Sequence, residues 1–168
     1  MKKSLSVLFG IILFAVSNSL LADFYGGAGI GIGKLNDDAY DPAIVMRGHM
    51  GDISQPLGWE LGASYGSYSL SNGSLSIDIY GIDLSAMGSL SLSDHVRIFG
   101  RLGVMYWQGD EGEGVAVDTT YTGLRPIYGA GIDIKLSKEW ELRLEQQVLM
   151  EARNHTVSQT LIGFKLLM

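Results

Sequence analysis

The sequence predicts an all-β fold: an eight-stranded antiparallel up-and-down transmembrane β-barrel, preceded by a cleaved signal peptide. Three observations carry this reading. Residues 1–22 have the anatomy of an export signal. The rest of the chain alternates with period two, and no long apolar helix candidate follows residue 22. Glycine makes up 23 of the 168 residues, and it shares strand faces with the charges.

The opening reads MKKSLSVLFGIILFAVSNSLLA. Lys2 and Lys3 form a positive start, Leu5 to Val16 an apolar stretch, and Ala22 a small residue suited to cleavage. The apolar stretch falls short of the ~20 residues a helical span requires. The expected domains are therefore a signal peptide, 1–22, and a barrel, 23–168. Removing the signal takes away two lysines and no acid, which shifts the net charge from −6 to −8. The sequence has no cysteine, which excludes disulfides, a thiol nucleophile, thiolate metal sites and a cysteine-linked lipid anchor. No basic run suits nucleic acid.

The strands follow in order. FYGGAGIGIGK (24–34) sets Phe24, Ala28, Ile30 and Ile32 against Gly27, Gly29, Gly31 and Gly33. Lys34 ends the apolar row, where it can snorkel to headgroups. IVMRGHM (44–50) puts Arg47 and His49 opposite Ile44, Met46 and Met50. LGWELGASYG (57–66) opposes Leu57, Trp59, Leu61, Ala63 and Tyr65 to Gly58, Glu60, Gly62, Ser64 and Gly66. YGIDLSAMGSL (80–90) opposes Ile82, Leu84, Ala86 and Leu90 to Asp83, Ser85 and Met87. Leu75, Ile77 and Ile79 are out of phase with it, which predicts a bulge or a change of environment near Tyr80.

VRIFGRLGVMYW (96–107) opposes Val96, Ile98, Leu102, Val104 and Tyr106 to Arg97, Phe99, Arg101, Gly103, Met105 and Trp107. LRPIYGAGIDIKL (124–136) is expected to start near Pro126, because a central strand resists proline. WELRLEQQV (140–148) alternates except at Gln146, and TLIGFKLLM (160–168) closes the series. Roughly ten residues per strand is the length a tilted membrane strand needs. Connections at 36–42, 67–74, 109–121 and 151–158 are polar and mostly longer, whereas 52–56, 93–95 and 137–139 are short. An up-and-down barrel places these two kinds of connection at opposite rims, with the short turns in the periplasm.

A soluble lipocalin-like barrel also alternates, so parity alone does not say which face is inside. The charged face holds most of the glycines, and a narrow eight-strand interior needs small residues opposite large ones. That face also carries nearly balanced charge: Arg47, Arg97, Arg101, Arg125, Arg143 and Lys165 against Glu60, Asp83, Asp133, Glu141 and Glu145. Charges removed from water must be paired, which makes these residues a candidate lumen ion-pair network. On the apolar face, Trp59 and Trp140 lie beside short turns, and Tyr65 and Tyr106 beside long connections. Interfacial aromatic girdles have this arrangement.

FYGGAGIGIGK, FGRLGVMYW and YGAGIDIKLSKEWELRLEQQ, in this order and spacing, resemble the OmpA-like outer-membrane β-barrel domain family, including its small opacity-type surface proteins. The resemblance covers essentially all of 23–168. It implies the outer membrane of a Gram-negative bacterium, with outer-membrane lipids, lipopolysaccharide and the barrel-insertion machinery as partners. Two departures stand out. The sequence runs out at the eighth strand, so no peptidoglycan-binding domain is expected. Its last residue is Met168 where the family commonly has Phe, so insertion with a weaker signal is expected.

Chemistry-bearing motifs are few. The glycine run fails the dinucleotide pattern, since Ile32 stands where the third glycine belongs and no helix follows. His49, His95 and His155 are too scattered for a metal site. His155 and Ser158 loosely resemble the His and Ser of lipid A-modifying barrels, but the deacylase pattern has one residue between them and this chain has two. Glu141 and Glu145 share a face, yet Arg143 between them favours ion pairing over acid–base catalysis. Asp110, Glu111, Glu113 and Asp118 form an acidic surface loop without EF-hand spacing. The expectation is a non-enzymatic, cofactor-free and metal-free barrel with a structural or surface-interaction role. An extracellular or host partner of the loops is left unnamed. The alternatives are a lipid A-modifying enzyme and a small nonspecific pore.

Overall fold

A computed structural model describes residues 24–36, 40–52, 56–71, 76–112, 119–152 and 155–168. The expected signal peptide lies outside the described residues. Eight strands follow one another: β1 (Phe24–Leu35), β2 (Ala43–Asp52), β3 (Leu57–Ser69), β4 (Ser76–Ser91), β5 (Val96–Gly112), β6 (Thr119–Lys135), β7 (Trp140–Ala152) and β8 (His155–Leu167). Each pairs antiparallel with its sequence neighbour, and β1 pairs with β8, from Tyr25↔Leu167 to Leu35↔Val157, to close the barrel. Closure leaves no open edge along the paired wall, the condition for strands to cross lipid.

Alternation sets the faces. Ile98, Leu102, Val104 and Tyr106 of β5 point outward and are exposed, while Phe99, Arg101, Met105 and Trp107 are buried inside. Gly31 shows why the inner face of β1 is glycine: a Cβ there would run into the Thr160 carbonyl oxygen and stand 2.8 Å from the Leu161 Cα. Outward-facing Gly48 would meet nothing within 4 Å.

Three expectations are corrected. The strands are longer than ten residues in most cases, reaching 17 in β5 and β6, so the sheet extends into segments read as loops. Residues 109–112, 119–121, 151–152 and 155–158 are strand. Pro126 does not start its strand, because β6 begins at Thr119. The β6–β7 ladder begins at Ile127↔Leu149, so the missing proline N–H falls just outside that ladder.

Near Tyr80 the outcome is the change of environment, not the bulge. The register of β4 runs unbroken against β3 and β5. Ile77 and Ile79 point inward because the lumen itself turns apolar toward the long-loop end, where they pack with Val45, Tyr68, Met105, Trp107, Ile127, Leu149, Val157 and Leu161. The interior thus has two tiers, charged toward the short turns and apolar toward the loops. A register shift does occur elsewhere, between Leu149 and Ala152 of β7 against β8.

Candidate functional site: the filled lumen and the outer belt

The charged tier is organised around Glu60, which is 0% exposed. It accepts hydrogen bonds from the Tyr25 hydroxyl at 2.5 Å, Arg47 Nη2 at 2.9 Å, Arg101 Nη1 at 3.0 Å and Arg143 Nη1. Asp83 accepts from both Arg47 terminal nitrogens, at 2.5 and 3.1 Å, from Arg101 Nη2 and from Ser85 Oγ. Asp133 accepts from Arg143 Nε at 2.9 Å and Lys165 Nζ at 2.8 Å. Glu141 bridges Arg97 at 2.6 Å and Lys165 at 2.9 Å, and Glu145 accepts from Arg101 at 3.0 Å. Bidentate guanidinium forks and shared carboxylates spread each charge over several partners, which offsets desolvation.

Arg143 also lies 4.2 Å from the Phe99 ring centroid, and Lys165 the same distance from that of Tyr25. Both contacts are cation–π geometry. Above the ions, Gln147 donates to Gln159, and the apolar tier follows. Among the described residues, two small cavities lie beside the ions. One touches Tyr25, Met87, Arg97 and Asp133, the other Gly29, Arg47, His49 and Glu145. Each has room for about one water molecule.

Ten of the eleven residues expected in the network come together in this tier. Arg125 stands apart, eight residues toward the loops from Asp133, half-exposed, with Nη1 donating to the Leu124 carbonyl at 3.0 Å. Tyr25, Ser85 and Phe99 belong to the tier without any mark in the sequence, and His49, expected to hydrogen-bond in the lumen, lies there with both ring nitrogens unpartnered among the described residues. On the outside, Trp59 and Trp140 are exposed near the short turns, Trp59 in edge contact with Phe24 at 5.4 Å. Tyr106 is exposed toward the loop end, and Tyr65 packs on Tyr80 at 4.9 Å. Asp110 and Glu111 lie on β5, not in a loop. Glu113 and Asp118 lie outside the described residues. Among the described residues no three His, Asp or Glu side chains could hold a metal ion together.

Residues 4–163 match the family model of the outer membrane protein beta-barrel domain. The chain belongs to that family. It is 30% identical over 135 residues to outer membrane protein A of Serratia marcescens, covering 74% of this chain and 37% of the relative. Over 98 residues it is 29% identical to outer membrane protein A of Escherichia coli O157:H7, of which it covers 28%. The chain thus spans less than half the length of these relatives.

Among solved structures, Neisserial surface protein A superposes with a TM-score of 0.71 at 14% identity, over 86% of this chain and 97% of that one. Ail, the attachment invasion locus protein of Yersinia pestis, superposes with 0.67 at 10% identity, over 89% and 100%. These likenesses establish the fold. The family and the relatives make this chain an OmpA-like barrel of the Gram-negative outer membrane. The charged lumen is therefore the protected inside, and the exposed apolar belt faces lipid.

Proposed function

We propose that the barrel is a non-enzymatic structural and surface-interaction protein, closed to solutes, that displays its long-loop end outside the cell. The two-tier filling of the lumen carries this reading. Ions cross-link six strands of the periplasmic half, β2 to β5, β7 and β8, with Asp133 adding β6. The apolar tier above closes the lumen with packed hydrocarbon, in which Tyr68 and Trp107 carry the few polar atoms. Planar-bilayer recording tests this directly. No discrete conductance steps are expected; steps that vanish on Arg97→Ala or Glu145→Ala would establish the pore instead.

The enzyme alternative has less support. Two residues lie between His155 and Ser158, where the deacylase pattern has one. Substituting both and examining lipid A by mass spectrometry tests it, and an altered lipid A profile would establish catalysis.

The outer-membrane setting supplies lipid and lipopolysaccharide as surroundings. Ail has been solved in complex with the heparin analogue sucrose octasulfate, a polyanion. A polyanion suits this chain poorly. Asp78 and Asp110 are cross-strand neighbours on the protruding sheet, and Glu111, Glu113 and Asp118 follow in sequence. We infer a cationic or neutral outside partner. Export by cleavage after Ala22 and delivery by the insertion machinery complete the reading.

A further inference from the structure

One stretch of strand has a neighbour on one side only. β6 pairs with β5 from Glu111↔Thr119 down to Val96↔Ile134. On its other side it pairs with β7 only from Ile127↔Leu149 downward. Pro126, where that ladder ends, stands ten positions above Leu136. At ~2.5 Å of height per tilted residue this is about 25 Å, the full height of the apolar band. The β6–β7 ladder thus stops where the lipid stops, and the edge above it faces water. The sheet that protrudes there runs from β3 to β6, since Ser69 pairs with Ser76, and Ser76 with Gly112.

Alternation decides which backbone groups that edge presents. The Lys135 N–H bonds the His95 carbonyl, toward β5, and the Leu136 N–H bonds the Trp140 carbonyl, toward β7. Neither register shifts along β6, so every even-numbered residue turns its N–H and C=O to the β7 side. Thr120, Thr122 and Leu124 therefore offer N–H groups with no backbone partner among the described residues. Arg125 Nη1 caps the Leu124 carbonyl at 3.0 Å, so a side chain stands where a strand would donate. The other edge of the protruding sheet is covered by the chain itself. There Tyr40 bridges Leu70, and the Asp41 N–H donates to the Ser69 carbonyl.

An open edge accepts an extended strand, and its surroundings select which one. Asp78 and Asp110 oppose each other across β4 and β5, and no described cation pairs with either. Like charges so placed repel. Gln108 Nε2 donates to Asp110 at 3.3 Å, and Gln108 pairs with Thr122 of β6. A strand added beside β6 would set alternate side chains on this same face, two strand spacings or about 10 Å from Asp110. A long basic side chain reaches across that gap. A second copy in the same membrane fits poorly. It would bring acid to acid, and its β6 would run in the same direction rather than antiparallel.

We propose that the β6 edge from Thr120 to Leu124 docks an extended cationic segment of an outside protein as an added antiparallel strand. Backbone hydrogen bonds hold the segment, and Asp78 and Asp110 select basic residues at alternate positions. The site rests on the reading that the long-loop end lies outside the cell, and it gives the cationic partner a place and a conformation. The test uses the folded, isotope-labelled barrel in phospholipid nanodiscs, with a short capped probe peptide alternating arginine and valine. Fluorescence anisotropy reads binding, and amide hydrogen exchange reads its location. Bound peptide should slow exchange at Thr120, Thr122 and Leu124. Peptide N-methylated at alternate residues, and the Thr122→Pro barrel, should each bind about tenfold more weakly, as loss of one or two hydrogen bonds implies. Proline is tolerated on an edge strand, and the methylated peptide makes the same test on the unaltered barrel. Asp110→Asn should weaken binding as well, and Gly48→Leu, on the lipid face, should not.

Full-strength binding of the methylated peptide, or binding without slowed exchange at these amides, would reduce the contact to adsorption on acids and overturn the site. Absence of binding overturns it, as does equal binding of a peptide with glutamate in place of arginine. Slowed exchange at the same amides in barrel crowded without peptide would make the edge an interface between copies and also overturn it. Failure of the surface-display reading would show separately, as a Thr122→Cys barrel that an impermeant maleimide does not label on intact cells.

Discussion

Glu60→Gln is the sharpest perturbation of the interior. The charged tier holds Arg47, Arg97, Arg101, Arg143 and Lys165 against Glu60, Asp83, Asp133, Glu141 and Glu145. Glu60 alone receives donors from four residues. Glutamine preserves its shape but removes one negative charge. It also turns an N–H₂ toward two donors, either Tyr25 and Arg143 or Arg47 and Arg101. Removing one partner of a buried ion pair costs about 3–5 kcal/mol, a large share of a domain's usual 5–15 kcal/mol. Urea titration in phospholipid vesicles, followed by tryptophan fluorescence, measures it.

Arg47→Met in the same chain restores the balance while Arg101 still serves Asp83. The double variant should then cost less than the sum of the single variants by about 1–3 kcal/mol. A Glu60→Gln cost below about 1 kcal/mol, or strict additivity with Arg47→Met, would refute the claim that these groups form one desolvated network.

Gly31→Leu should block folding into detergent, because its Cβ meets the β8 backbone, whereas Gly48→Leu on the lipid face should fold normally; heat-modifiable gel mobility reads both. Trp107→Ala should cost about 3–5 kcal/mol by emptying the apolar tier, read by the same urea titration. In single-tryptophan variants, brominated lipids should quench Trp59 and Trp140 strongly and spare Trp107.

Strand number, strand order and sidedness were legible because lipid on one side and a crowded lumen on the other impose period two on nearly every residue. The shared face of Arg101, Glu145 and Gly131 is enough to show that glycine accompanies charge. Pairing within that face was not legible. Arg101 meets Glu60 from 41 positions away, and only barrel closure brings them together. The apolar tier was visible as the phase break at Ile77 and Ile79, but one sequence cannot distinguish a bulge from a lumen that changes character. Strand ends at Gly112 and Thr119 were hidden because the sheet continues beyond the lipid, where acids such as Asp110 and Glu111 are as acceptable in a strand as in a loop. On β7, Gln146 was visible as the break in an otherwise regular row, but its partners Ser158 and Thr160 on β8 were not.

The central claim is that charge faces inward and apolar side chains face lipid. A spin-label scan of β5 from Val96 to Trp107, in vesicles, tests it at every residue. Oxygen, which concentrates in hydrocarbon, should reach labels at the even-numbered positions and be shielded from those at the odd-numbered ones, with a period of two. High oxygen accessibility at Arg97, Phe99, Arg101 and Met105, with shielding at Ile98, Leu102 and Val104, would contradict it.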